Sequence, residues 1–142
     1  MKTLEQLQPM VIEWAKERNI HLPECAPKQR LKLIEEVGEL ASAILKKDIE
    51  KQKDAIGDIF VVLVILSKQL DEYLNFEFFN LKDDLNKLLI YILIADNISQ
   101  ALDYLNDIST VLNQDLTECA NIAWNEIKDR TGRTENGTFL KD

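Results

Sequence analysis

The run Glu35-Glu36-Val37-Gly38-Glu39 places three carboxylates in five residues, and Asp54 and Asp58 stand at the head of the apolar run Ile59 to Leu66. Only a buried element can use a run of that kind. An ionised carboxylate is costly to bury unless it is paired, neutralised or bound to a metal. The glutamates upstream offer more negative charge, so a cation shared by the two stretches resolves the conflict. Every donor is an oxygen, which favours a hard ion, Mg²⁺ or Mn²⁺, over zinc. A salt-bridged, solvated surface is the competing reading, because Lys32 stands four residues before Glu36. Asp54 also sits near a helix start, where the dipole favours a carboxylate.

Two helices must position these groups. On a wheel advancing about 100° per residue, the first has an expected apolar arc of Leu33, Ile34, Val37, Leu40, Ala41, Ile44 and Leu45. Glu36 falls on the margin of that arc, Glu39 one step further out, and Glu35 on the solvent side. In the second, Asp54, Asp58, Val61 and Ile65 form one line, and beyond Asp58 the pattern is apolar all round, as in a central buried helix. An antiparallel pair joined near Lys47-Asp48 brings Glu36, Glu39, Asp54 and Asp58 to one level. Gly38 and Gly57 are expected to permit close helix approach there.

The pattern Glu-Glu-x-x-Glu, followed by Asp54-Ala55-Ile56-Gly57-Asp58, resembles the MazG-like all-α nucleoside triphosphate pyrophosphohydrolases. The resemblance covers roughly residues 28–70. It extends to 115–140, where Ala123 to Arg130 and Asn136-Gly137-Thr138-Phe139 look like the closing segment of phage-type and Gram-positive members. It implies Mg²⁺ (or Mn²⁺) held by Glu36, Glu39 and Asp58, and hydrolysis of a (deoxy)nucleoside triphosphate to monophosphate and pyrophosphate. Ala55 stands where the family has a second-helix Glu, and Asp54 is the expected substitute. Glu35 is the candidate for orienting the attacking water. Asn125, Lys128 and Arg130 are candidates for sugar or phosphate contacts, with Arg133 a further cation in a tail expected to be mobile. The wheel turns Asn125 and Lys128 away from their helix's own apolar stripe, so they reach a substrate only across a cleft or from a neighbouring subunit.

At 142 residues, 46% hydrophobic, with four Gly and three Pro, the chain reads as one all-α domain, a bundle of five to six helices over residues 1–142. A net charge of −8 leaves no basic surface for a nucleic-acid backbone, though it permits a nucleotide whose charge a metal carries. No run is long enough to span a bilayer, no leader is expected before the first amphipathic segment, and Cys25 and Cys119 match no metal or redox motif. A cytoplasmic protein with reduced thiols is expected, as a homo-oligomer, dimer or tetramer. His21 is the one histidine, which disfavours a di-iron bundle built on Glu-x-x-His. A helical interaction protein with an acidic patch is the non-enzymatic alternative.

Helix starts are expected at Thr3 with Gln6 as a capping box, at Pro27, at Asp48, at Asn80, after Asp96-Asn97, and at Asp115 with Glu118 as a second box. Residues 71–113 read as added helices that pack on the bundle or pair subunits. The aromatic stretch Phe76 to Phe79 reads as a plug, an interface or a base-stacking platform.

Overall fold

Thr3 opens the first helix, α1 (Leu4–Glu17): its hydroxyl accepts from Gln6 N while the Gln6 side chain accepts from Thr3 N, the expected reciprocal cap. The structure, a computed structural model, describes residues 1–142. A single 3₁₀ turn at Pro23–Cys25 leads into α2 (Ala26–Leu45), with Pro27 in its first turn as its missing N–H allows. Asp48 caps α3 (Ile49–Gln69) by accepting from Lys51 N. Then follow α4 (Leu85–Ile94), α5 (Ile98–Val111) and α6 (Leu116–Ile127), capped by Asp84, Asn97 and Asp115.

Helix α3 is the axis. Its residues from Ile59 through Ser67 are all buried, and α2, α6, α5 and α1 surround it. One contiguous apolar core runs through all six helices. The expectation of a buried central helix therefore holds, and one chain supplies the cover.

Four local expectations are corrected. Asn80 does not start a helix; residues 72–84 form neither helix nor strand, Asn80 adopts φ +52°, and Asp84 provides the cap by accepting from Asn86 N. Asp84 wins because it stands directly before the apolar run that packs on α5. Glu118 closes no box with Asp115, since its carboxylate is drawn to Lys53 at 3.4 Å. Ile34 and Leu45 lie outside the buried face of α2, 55% and 84% exposed. That face is centred on Leu40 and includes Gln29, Leu33, Glu36 and Ala43. A wheel of apolar residues could not choose between two apolar faces; packing on α3 does.

The tail is the fourth. Residues expected to be mobile form an antiparallel hairpin, β1 (Gly132–Glu135) and β2 (Thr138–Lys141), with Thr134 opposite Phe139. Asn136 and Gly137 have φ +50° and +80°, the two left-handed residues of a tight hairpin turn. The fold is otherwise helical, as expected.

Residues 72–84 lie along α5. Phe79 N donates to Asp103 at 3.1 Å and Asn75 N donates to Ser99 Oγ at 3.0 Å. Phe76 and Phe78 pack on the core while Phe79 faces outward.

Candidate active site

Because α2 and α3 pack side by side along the buried face of α2, Glu36 is carried inward. It is 7% exposed, whereas Glu35 and Glu39 remain open to solvent. The carboxylate oxygens of Glu35, Glu36 and Glu39 lie within 4.8 Å of one another. Asp58 reaches the same space from α3, half-buried. These four residues line one end of a cavity of about 540 Å³. Its other walls come from α1, the start of α2, the middle of α3, Ile127 and Arg130, and strand β2.

Charge crowding marks this end. Burial, then the charge of Asp58, then Glu39 push the Glu36 carboxyl up to about 8, against the pull of Lys32. Burial and the charge of Glu126 push Asp58 up to about 6, with Arg130 opposing. Burial alone would lower Lys32, but Glu35 and Glu36 hold it raised. Lys32 Nζ donates to Glu35 Oε1 at 2.5 Å and stands 3.6 Å from Glu36 Oε1. The ion pair weighed as a competitor to a metal is thus present. It leaves the other oxygen unanswered: Glu36 Oε2 is buried without any partner. An orphaned buried carboxylate oxygen inside an all-oxygen cluster fits a hard divalent cation, which one lysine does not replace.

The other expected residues divide. Arg130 lines the cavity. Asp54 lies one turn before Asp58, outside the lining, and its charge acts on both Asp58 and Cys119, so it sits toward α6. Asn125 and Lys128 are exposed and outside the cavity. Arg133 is also outside it, paired with Glu135 at 2.7 Å.

Three contributors escaped the sequence reading. Glu126 bears on Asp58, and its position about 60° from Ala123 on the α6 wheel could have shown it flanking the buried stripe. The β2 wall could have been found from Asn136-Gly137, the strongest short hairpin signal. Gln29, which lines the cavity, carried no signal apart from standing seven residues before Glu36.

Gly57 acts differently from expectation. A Cβ there would collide with the Cys119 carbonyl and come within 2.9 Å of Ala123 Cβ, so it permits the close approach of α6 and not of α2. Gly38 has nothing within 4 Å of such a Cβ.

Comparison with known proteins bears on this geometry. Residues 28–90 match the MazG nucleotide pyrophosphohydrolase domain, which takes in α2, α3 and the carboxylates but not α6 or the hairpin. An uncharacterised 18.2 kDa protein of the rep–hol intergenic region of Haemophilus phage HP1 is 46% identical over 69 residues. That stretch is 49% of this chain and 42% of the phage protein, so the match spans less than half of the relative's length. No solved structure matches the chain.

Proposed function

With the MazG nucleotide pyrophosphohydrolase match of residues 28–90 as premise, we propose that this protein is a Mg²⁺-dependent hydrolase of nucleoside or deoxynucleoside triphosphates. The products are the monophosphate and pyrophosphate. The observation that carries the reading is one cavity that joins a carboxylate cluster, with an unpartnered buried Glu36 oxygen, to the cations Lys28, Lys32 and Arg130.

Glu36, Glu39 and Asp58 would hold the ion, with Asp54 as a fourth carboxylate from the flank. A divalent ion held there would supply positive charge against the phosphate groups and would lower the pKa of a bound water. Lys32 and Arg130 bind phosphate oxygens at the edge of the cluster. Glu35, open to solvent and held by Lys32, orients the attacking water and accepts its proton. Asn125 and Lys128 join the site only from a neighbouring subunit of a dimer or tetramer. The reading places the protein in the cytoplasm; no helix is long and apolar enough to cross a membrane.

The test is pyrophosphate release from each common (d)NTP, with Mg²⁺ and with EDTA. Metal-dependent release from at least one nucleotide is expected. No release from any of them, with Mg²⁺ or Mn²⁺, overturns the proposal in favour of a non-enzymatic acidic surface.

A further inference from the structure

Arg130, the cation that opposes the acids around Asp58, stands on a short connector. Helix α6 ends at Ile127 and β1 begins at Gly132, so residues 128–131 have no regular structure to fix them. A helix end also leaves carbonyls without partners of its own. Two side chains of α1 meet this segment from the side. Trp14 Nε1 donates to Ile127 O at 2.9 Å, and Arg18 Nη2 donates to Arg130 O at 2.5 Å. A cation beside a helix C-terminus is also favoured by the dipole.

The same guanidinium reaches the hairpin. It lies 4.1 Å from the Trp14 ring centre and 5.2 Å from that of Phe139 on β2, while Nη1 donates to Trp14 O at 3.1 Å. The Arg18 carbonyl accepts from Thr134 Oγ1 on β1. Arg18 therefore touches α1, the connector and both strands of the hairpin. Glu17, at 3.6 Å and mostly exposed, adds little to its hold. The Arg18 side chain is only 16% exposed, and its Nε is buried without a partner. An arginine turned to solvent at a helix end would avoid that cost. The segments it joins keep it enclosed.

We propose that Arg18 is a positioning residue that couples the seating of the C-terminal hairpin to the placement of Arg130 beside the carboxylates. The inference rests on the reading of Arg130 as a phosphate contact. With the hairpin seated, Phe139 and Trp14 flank the guanidinium and set the plane of its fork. A fork in a fixed plane holds the Arg130 carbonyl, and with it the connector from which the Arg130 side chain enters the cavity. When the hairpin lifts, the guanidinium loses its Phe139 wall, Arg18 O loses Thr134, and the connector is released. The β2 wall and the phosphate-binding cation are thus set in one event.

The experiment compares the unsubstituted chain with Arg18→Met, Arg130→Met and the double variant, assayed for pyrophosphate release from the common (d)NTPs at saturating Mg²⁺. Methionine retains an unbranched apolar stem and removes the fork. Arg18→Met is expected to raise KM about tenfold and to lower kcat far less, as for a misplaced binding group. Because Arg18 acts through Arg130, the double variant should be no worse than Arg130→Met alone, a result that a merely structural role does not produce. Arg18→Lys keeps the charge without the planar fork, and should preserve the melting temperature without restoring KM. If Arg18→Met fails to fold by circular dichroism, Arg18→Lys takes its place in the cycle. Backbone amide exchange, followed by mass spectrometry without nucleotide, should quicken together in residues 128–131 and in the hairpin, both in Arg18→Met and in Phe139→Leu. KM losses that multiply in the double variant, or faster exchange in one of these segments without the other, overturn the coupling. Absence of turnover in the unsubstituted protein overturns the enzymatic reading alone, and the exchange comparison then decides the coupling.

Discussion

Asp58 and Glu36 carry the opposing pressures of the site, because each is ionisable, each is enclosed, and each faces further acid. Their folded pKa values, about 6 and about 8, lie above ordinary carboxylate values. A raised carboxylate pKa means that the folded state binds more protons than the unfolded state. The associated stability is present at low pH and lost as pH rises through the folded values. Metal-free protein is therefore expected to melt at progressively lower temperature between about pH 4 and pH 8, with Mg²⁺ restoring most of the loss at the upper end. A melting temperature in EDTA that is flat or rising across this window would contradict the assignment. By the same logic, Asp58→Asn should abolish pyrophosphate release while raising the metal-free melting temperature at pH 7. Turnover near that of the unsubstituted protein at saturating Mg²⁺ removes Asp58 from the site. Position 55 belongs to this scale as well. Ala55, where the resembled family carries a Glu, is buried in the core and unavailable to solvent or metal. Asp54, one position earlier, is half-buried. Asp54→Ala is expected to raise the Mg²⁺ concentration for half-maximal turnover by about tenfold. A slightly lower melting temperature with unchanged metal dependence would restrict Asp54 to the helix dipole, worth about 0.3–1 kcal/mol.

Among the elements, α3 governs what the others can do, because it has no solvent face from Ile59 through Ser67. Its contact with α6 passes through Gly57, where any Cβ meets the Cys119 carbonyl. A helix backbone cannot yield there without moving α6, and α6 carries Glu126 toward Asp58. Gly57→Ala is expected to destabilise the protein by about 1–3 kcal/mol despite alanine's better helix propensity. Gly38→Ala should do the opposite in an isolated chain, stabilising by about 0.5–1 kcal/mol, since open space surrounds that position. Chemical denaturation of the two variants checks both signs. The hairpin is the other decisive element. It is short, yet Phe139 rests on Trp14 and Thr134 bonds to Arg18, so the last residues of the chain form a wall of the cavity.

At the scale of the whole molecule, the burial of α3 is complete within one chain and asks for no second copy. The apolar surface that remains open lies elsewhere. Leu31, Ile34 and Leu45 on α2 are 61%, 55% and 84% exposed, and Ile90 and Ile94 on α4 also face outward. Leu31, Ile34, Gly38, Ala41 and Leu45 repeat at alternating steps of three and four, the spacing of a helix-pairing seam. A homo-oligomer is proposed on that ground, and sedimentation at micromolar concentration should give a mass at least twice that of the chain. A monomer mass would also remove Asn125 and Lys128 from the substrate. If α2 is the paired face, Gly38→Ala loses its stabilising effect in the oligomer, and the sign of that substitution distinguishes the two states.

Much of the carboxylate end was legible from the chain because it depends on local periodicity. Glu36 and Glu39 share a helix flank, Asp58 heads a run that only an interior helix tolerates, and four of the six helices start at Thr3, Asp48, Asn97 and Asp115, where their caps stand. The same is true of the all-helical class and of the family match over α2 and α3. Two further features are also written locally in the sequence. Asn136-Gly137 specifies a hairpin by backbone conformation alone, and Asp84 displaces Asn80 as a cap. What only tertiary structure decided was which of two apolar faces of α2 turns inward, and that choice buries Glu36 and Gln29 together. It also placed Trp14 and Phe139, more than a hundred residues apart, on one cavity, and brought Glu126 to bear on Asp58. Periodicity within a helix reports the direction of a side chain relative to its own axis. It carries no information about which distant element meets that direction, because that is settled by packing the whole core at once.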